Sequence, residues 1–300
     1  MRGRTARVMA ALLDGIDHAD DSVPGRHGGI PVRRYRPDGP PVGTLVWLHG
    51  GAFSHGGLDQ LESHAVGAAL VRRGVEVVAV DYRRVPRWSP WRDPRPGRLP
   101  GVRFPVPLDD VVDAFGAVSR ERGPVLLGGA SAGACLAAAA ALRMHAEEDA
   151  LPAGLVLAYG TFHAELPPIP EEMRGRVRGR HGLVQFRPDT VRRMNHNYAG
   201  SAEAMALPFA FPGGHRLPPL PPSLMVDADR DTLRASGEAF AGELSASGTV
   251  VTHHVVQEAP HGFLDRPHRP HFAAGTALIG DWIISRGAGG VDRHGRRPER

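Results

Sequence analysis

The 300-residue sequence predicts an α/β fold: a mostly parallel central sheet flanked by helices. Three observations carry that prediction. Short apolar runs bounded by turn residues alternate with longer stretches of helical period between residues 31 and 160. The rhythm breaks over 161–215, which is rich in Pro, Gly and Arg, and then resumes. Two glycine-rich segments, His49-Gly50-Gly51-Ala52-Phe53 and Gly129-Ala130-Ser131-Ala132-Gly133, each directly follow an apolar run, where parallel sheets open their ligand crevices.

The first element is the N-terminus, MRGRTARVMAALLDG, which starts basic and turns apolar. Its apolar run, Val8 to Leu13, is broken by Asp14 and no small-residue cleavage site follows, so it reads as an amphipathic helix of a cytoplasmic protein. Strands are expected at Thr44–Leu48, Val75–Val80, Val125–Leu127, Leu155–Ala158, Ser223–Ala228 and Val250–Val256. Helices are expected over 60–73, 107–121, 132–147, 188–198, 232–247 and 271–284, the fourth started by Pro188 in its first turn. The sheet domain would then comprise 31–160 and 216–285, with a cap inserted at 161–215. Residues 1–30 would contribute to that cap, and 286–300 have the composition of a disordered tail.

Composition narrows the function. A content of 42% hydrophobic and 23% charged residues is that of a soluble globular protein, and no apolar stretch approaches membrane-spanning length. All 36 basic residues are arginines, but the net charge is only +4 and acids are interleaved, which argues against a nucleic-acid-binding face. The single cysteine, Cys135, excludes an intrachain disulfide and a cysteine-built metal site; it is expected to be a buried, inert thiol.

Ser131 stands between a strand and an alanine-rich helix, and small residues at 129, 130, 132 and 133 suit a turn tight enough to expose its hydroxyl. A serine becomes a useful nucleophile when an imidazole takes its proton. Of sixteen histidines, His261 stands out, because Ala259-Pro260-His261-Gly262-Phe263 follows a strand end. An acid should orient that imidazole. Asp227-Ala228-Asp229-Arg230-Asp231 offers three: Asp227 lies within the strand, Asp231 is the candidate, and Asp229 is the alternative, unless it caps the next helix. The turn at 49–53 offers backbone N–H groups free of side-chain cover. Those of Gly51 and Ala52, with that of Ala132, suit an oxyanion, and Gly50 belongs to the same candidate hole.

These pieces resemble, in order and type, the hormone-sensitive-lipase-like branch of the α/β-hydrolases, the microbial carboxylesterase group. The matching motifs are HGGAF (49–53), DYR (81–83), FPVPLDD (104–110), GASAG (129–133), DRDTLRASGEAF (229–240) and HGF (261–263), across roughly residues 30 to 285. The resemblance implies an α/β-hydrolase fold with a helical cap, Ser131 as nucleophile, Asp231 as acid and His261 as base. It also implies hydrolysis of small, short-acyl esters without metal or cofactor, and a possible homodimer. Amide hydrolysis or deacetylation would use the same residues, and a non-catalytic ligand-binding protein would keep the scaffold.

The chain departs from the family pattern in three ways. Ala52 and Ala130 replace a usual glycine and a usual acidic or threonine residue, neither change removing a backbone N–H. The arm before the HGG motif is short. A proline-rich insertion, VPRWSPWRDPRPGRLPGVR, separates the DYR and FP motifs. It leaves the catalytic end of the sheet, so Trp88 and Trp91, with Phe53, are candidates to line the substrate pocket. Arginines of the insertion (Arg87, Arg92, Arg95, Arg98, Arg103) and of the cap (Arg174, Arg176, Arg178, Arg180) would surround the mouth as a positive rim that favours an anionic ester.

Overall fold

The apolar runs become central strands because side chains on both of their faces find a dry layer to enter. The computed structural model describes residues 2–87, 101–177 and 186–288. Its strands are β1 (Asp17–Val23), β2 (Ile30–Arg36), β3 (Gly43–Leu48), β4 (Val75–Val80), β5 (Leu126–Ala130), β6 (Leu155–Ala158), β7 (Ser223–Arg230) and β8 (Val251–Pro260). They form one sheet in the order β1-β2-β4-β3-β5-β6-β7-β8. The β1/β2 and β2/β4 pairs are antiparallel and every pair from β4 to β8 is parallel.

The helices among the described residues are α1 (Arg2–Leu13), α2 (Leu61–Val71), α3 (Val106–Arg122), α4 (Ala132–Ala146), α5 (Glu171–Arg176), α6 (Pro188–Ala199), α7 (Ala202–Met205), α8 (Arg234–Ala246) and α9 (Pro270–Ala288). None of them is long and apolar enough to cross a membrane. Side-chain alternation along the strands sorts the core into two layers. Val46 and Leu48 of β3 pack among residues of α3, α4 and α8, whereas Leu45 and Trp47 pack among those of α2 and α9. Burying a side chain of this size contributes about 1.5–3 kcal/mol, so the sheet is held chiefly by these two layers.

Residues 1–30 do not follow the expectation that they help build the cap. Asp17–Val23 is the edge strand of the sheet, and α1 packs on α2. The strand DHADDSV exposes all its residues but Val23, so it has no apolar alternation to announce it. Charge pairs across the register hold it instead: Arg33 binds Asp20 at 2.5 and 3.0 Å, and Arg34 binds Asp21 at 2.9 Å. An edge made of charged side chains also discourages pairing with another chain.

Between β6 and β7 the chain leaves the sheet and carries α5, α6 and α7. The two ends of this excursion meet. Gly213 N–H donates to the Phe162 carbonyl at 2.9 Å, and His163 lies between Ser236 (2.8 Å) and Glu243 (3.1 Å) of α8. Glu243 also accepts the Gly214 N–H. Cys135, fully buried on α4, points its thiol at the Ala210 carbonyl of the same excursion, and burial pushes that thiol well up from its ordinary value. The folded protein is therefore expected to leave a disulfide reagent such as DTNB unreacted, with the one thiol titrating only after denaturation. Rapid reaction of the native protein would contradict the burial.

Candidate active site

The strand order fixes where the site lies. β3 sits between β4 and β5; the chain leaves β3 toward β4 through α2, and leaves β5 toward β6 through α4. Connections that diverge in this way open a crevice at the carboxyl ends of the two strands. His49–Ala52 follow β3 and Ser131 follows β5, so the two glycine-rich segments face each other across it.

Ser131 has φ 53° and ψ −115°, a conformation that side-chain-bearing residues rarely adopt. The turn is possible because its neighbours are small. A Cβ on Gly129 would lie 2.5 Å from the Gly133 carbonyl carbon, and one on Gly133 would run into the carbonyl oxygens of Leu48 and His49. The Ser131 N–H is tied to Ala158 O at 2.8 Å, and the residue sits at the positive end of α4.

The structure brings Ser131, His261 and Asp231 into one hydrogen-bonded chain. Ser131 Oγ lies 3.1 Å from His261 Nε2, and His261 Nδ1 lies 2.5 Å from Asp231 Oδ2. Asp231 is fully buried, and its other oxygen accepts the Leu233 N–H at 3.0 Å, which fixes the plane of the carboxylate. A carboxylate only accepts, so Nδ1 carries the proton and Nε2 is left to accept from the serine. Burial works against the imidazolium, but the adjacent Asp231 charge and hydrogen bond outweigh it, and the His261 pKa is raised above its ordinary value.

The other two acids of the run have different partners. Asp229 is held by Arg176 of α5, at 3.0 Å through Nε and again through Nη2, and accepts the Glu258 N–H. It ties the inserted segment to the sheet. Asp227 is bound by His253 at 2.8 Å beneath α8. A second serine–histidine–acid chain, Ser236–His163–Glu243, resembles the first on paper. However, Ser236 is buried within α8 and its Oγ accepts the Phe162 N–H, so it joins the ends of the insert.

The Gly51, Ala52 and Ala132 N–H groups have no hydrogen-bond partner among the described residues and flank the crevice. Gly50 does not belong with them: its N–H donates to Glu62 Oε2 at 2.8 Å and is already used. The turn is set by a run of positive φ at Gly51 (111°), Ala52 (53°) and Phe53 (60°), closed by the His55 N–H on Gly51 O at 2.8 Å. The DYR motif buttresses it, with the Tyr82 hydroxyl donating to His49 O at 2.8 Å. Arg83 of the same motif pairs with Asp110 of FPVPLDD.

Phe53 does not line a pocket. It is fully buried, stacked on Tyr198 with centroids 3.9 Å apart and edge-on to Phe211, because the positive φ turns it down into the core. Trp88 and Trp91 lie outside the described residues. The apolar surface beside His261 comes instead from Phe186, whose ring stands edge-on to the imidazole at 4.7 Å. Ala52, Leu166 and Phe186, all half-buried, pack over Val191, Met194 and Leu233. Of the arginines expected at a positive rim, Arg103 is buried against Asn197 (2.8 Å) and Arg176 is paired with Asp229, while Arg92, Arg95, Arg98, Arg178 and Arg180 lie outside the described residues. Among the described residues, no three His, Cys, Asp or Glu side chains are grouped to hold a metal ion.

The family model of the α/β-hydrolase fold matches residues 97–265. The chain belongs to that family. It is 30% identical over 261 residues to the carboxylic ester hydrolase LipN of Mycobacterium tuberculosis, spanning 83% of this chain and 65% of that one. It is 28% identical to the ethyl acetate hydrolase of Pseudomonas putida, over 87% of this chain and 80% of that protein. Among solved structures, an esterase of Pyrobaculum calidifontis superposes with a TM-score of 0.77 at 26% identity, covering 95% of this chain and 91% of that one.

The geometry of this α/β-hydrolase generates a paired expectation. A fluorophosphonate should label Ser131, at a rate that rises with pH through a midpoint above 6.5, since protonated His261 accepts no proton and its pKa is raised. Asp231→Asn should slow labelling by on the order of 10³- to 10⁴-fold. Asp229→Asn should instead cost about 0.5–3 kcal/mol of stability and leave Ser131 reactive, as urea denaturation beside the labelling assay would reveal.

Proposed function

We propose that the protein is a serine carboxylic-ester hydrolase that cleaves small, short-acyl esters through an acyl-enzyme. The observation that carries this reading is the chain from Asp231 through His261 to Ser131, ending beside three unpaired N–H groups. As Ser131 Oγ attacks the ester carbonyl, His261 Nε2 takes its proton, and Asp231 stabilises the imidazolium. The N–H groups of Gly51, Ala52 and Ala132 receive the charge that develops on the carbonyl oxygen, each lowering the barrier by about 3 kcal/mol. His261 then returns the proton to the departing alcohol. A water molecule, deprotonated by the same imidazole, attacks the acyl-serine, and His261 hands that proton to Ser131 Oγ as the acid leaves.

The short-acyl preference is supported by the Phe186 ring, which stands against the imidazole at 4.7 Å and occupies space on that side of the serine. It also fits the name of the Pseudomonas putida relative, an ethyl acetate hydrolase. Nitrophenyl esters from acetate to dodecanoate, assayed with the wild type and Ser131→Ala, test both parts. Hydrolysis is expected to be fastest at the short chains and abolished in the variant. A maximum at dodecanoate would overturn the chain-length preference, and activity surviving in Ser131→Ala would overturn the nucleophile.

A further inference from the structure

One buried carboxylate takes no part in the scheme above, yet it touches both sides of the site. Glu62, in the first turn of α2, is 3% exposed. Its Oε2 accepts the Gly50 N–H at 2.8 Å and the Gln60 side-chain amide at 3.3 Å, and its Oε1 accepts the Tyr159 hydroxyl at 2.6 Å. The backbone of the same residue is pinned too: its N–H donates to Asp265 at 3.1 Å and its carbonyl accepts the Trp47 indole N–H at 2.9 Å. Tyr159, fully buried after β6, turns the edge of its ring on the His261 imidazole, centroids 5.1 Å apart.

Every group that reaches the two carboxylate oxygens is a donor, which suits the ionised form, an acceptor only. Burial opposes that charge and pushes the Glu62 carboxyl up, with the Tyr159 hydrogen bond and the nearby His261 pulling it back. A buried charge is costly, and an apolar side chain would fill the space without that cost. The carboxylate gives two things an apolar group cannot. It holds the Gly50 peptide, and so the direction in which the next two N–H groups point; a Cβ on Gly50 would strike the Glu62 carboxylate, so the contact requires glycine. It also places negative charge near the imidazole, on the far end of the Tyr159 ring that meets it.

We propose that Glu62 is a positioning residue of the hydrolytic site, aiming the 50–52 turn through the Gly50 N–H and backing His261 through Tyr159. This rests on the serine-esterase reading of the site. His261 is faced by Asp231 from the β7–α8 connection, by Glu62 from α2, and by Arg266, which follows the 3-10 turn Phe263–Asp265. Asp265 adds its charge on the Glu62 side. Asp231 and Glu62 both favour the imidazolium and Arg266 opposes it.

The test uses two measurements that need no ester substrate. In Glu62→Gln the amide oxygen can still accept from Gly50 while the charge is gone. The His261 imidazole, followed by NMR titration and assigned by its loss in His261→Gln, should then titrate lower by about half a unit to one unit. In Glu62→Ala the turn loses its anchor, and fluorophosphonate labelling of Ser131 should slow about tenfold to a hundredfold, less than removal of an oxyanion donor outright. Tyr159→Phe should fall between wild type and Glu62→Ala, and with Glu62→Gln it carries the test if the alanine variant does not fold. An unchanged His261 titration in Glu62→Gln, with labelling at the wild-type rate in Tyr159→Phe, would make Glu62 a structural strut and overturn the proposal. Wild-type protein inert to all esters, yet showing these shifts, would overturn the esterase reading and leave the positioning role standing.

Discussion

No side chain fits between the end of β3 and the first turn of α4, and the site depends on that contact. Gly133 presses on the Leu48 and His49 carbonyls, and Gly129 presses on Gly133. The approach brings the turn after β3 alongside the turn after β5, with the Gly51, Ala52 and Ala132 N–H groups flanking one crevice. It also forces Ser131 into its positive-φ conformation. A strained residue persists only where its surroundings leave no alternative, and two packed core layers with a parallel ladder on both sides supply that constraint. The sheet is thus the support that keeps one serine in an unfavourable backbone geometry.

Acidic side chains around this contact are divided by neighbour rather than by type. Asp231 meets an imidazole and a backbone N–H, Asp229 meets an arginine from the insert, Asp227 meets His253, and Glu62 meets a glycine N–H and a phenol. All four are buried, so each is tolerable only because something donates to it. The same chemistry does different work according to what lies within 3 Å: orienting a base, anchoring a segment, supporting a helix, or fixing a turn.

Much of this was legible in the sequence, and the failures share a cause. The central strands announced themselves because both faces are buried, which leaves an apolar run. β1 gave no such signal, since its pairing is carried by aspartates whose partners lie thirteen residues away. Ser131 and His261 stand alone in their motifs and could be picked out. Asp231 and Asp229 stand two residues apart and share one residue type, and only the end of β7 and the positions of Arg176 and His261 separate them. Gly50 looked like an oxyanion donor because spacing does not reveal that an acceptor twelve residues on has taken its N–H. Phe53 looked like pocket lining because a motif does not state the sign of φ. Phe186 and Tyr159 left no sequence signal; their roles come from ring contacts across the fold.

The excursion between β6 and β7 begins and ends at one point, where Phe162 and Gly213 share a hydrogen bond and His163 is gripped by α8. The segment between them is a long loop with its ends already joined, and it is tied further to the sheet domain by Arg176 on Asp229 and by Tyr198 and Phe211 on Phe53. Doubling the length of such a loop costs only about 0.6 kcal/mol of closure entropy. Residues could therefore be added to this segment at little thermodynamic cost, provided that they leave the Arg176–Asp229 pair and the stack of Phe53 on Tyr198 and Phe211 in place.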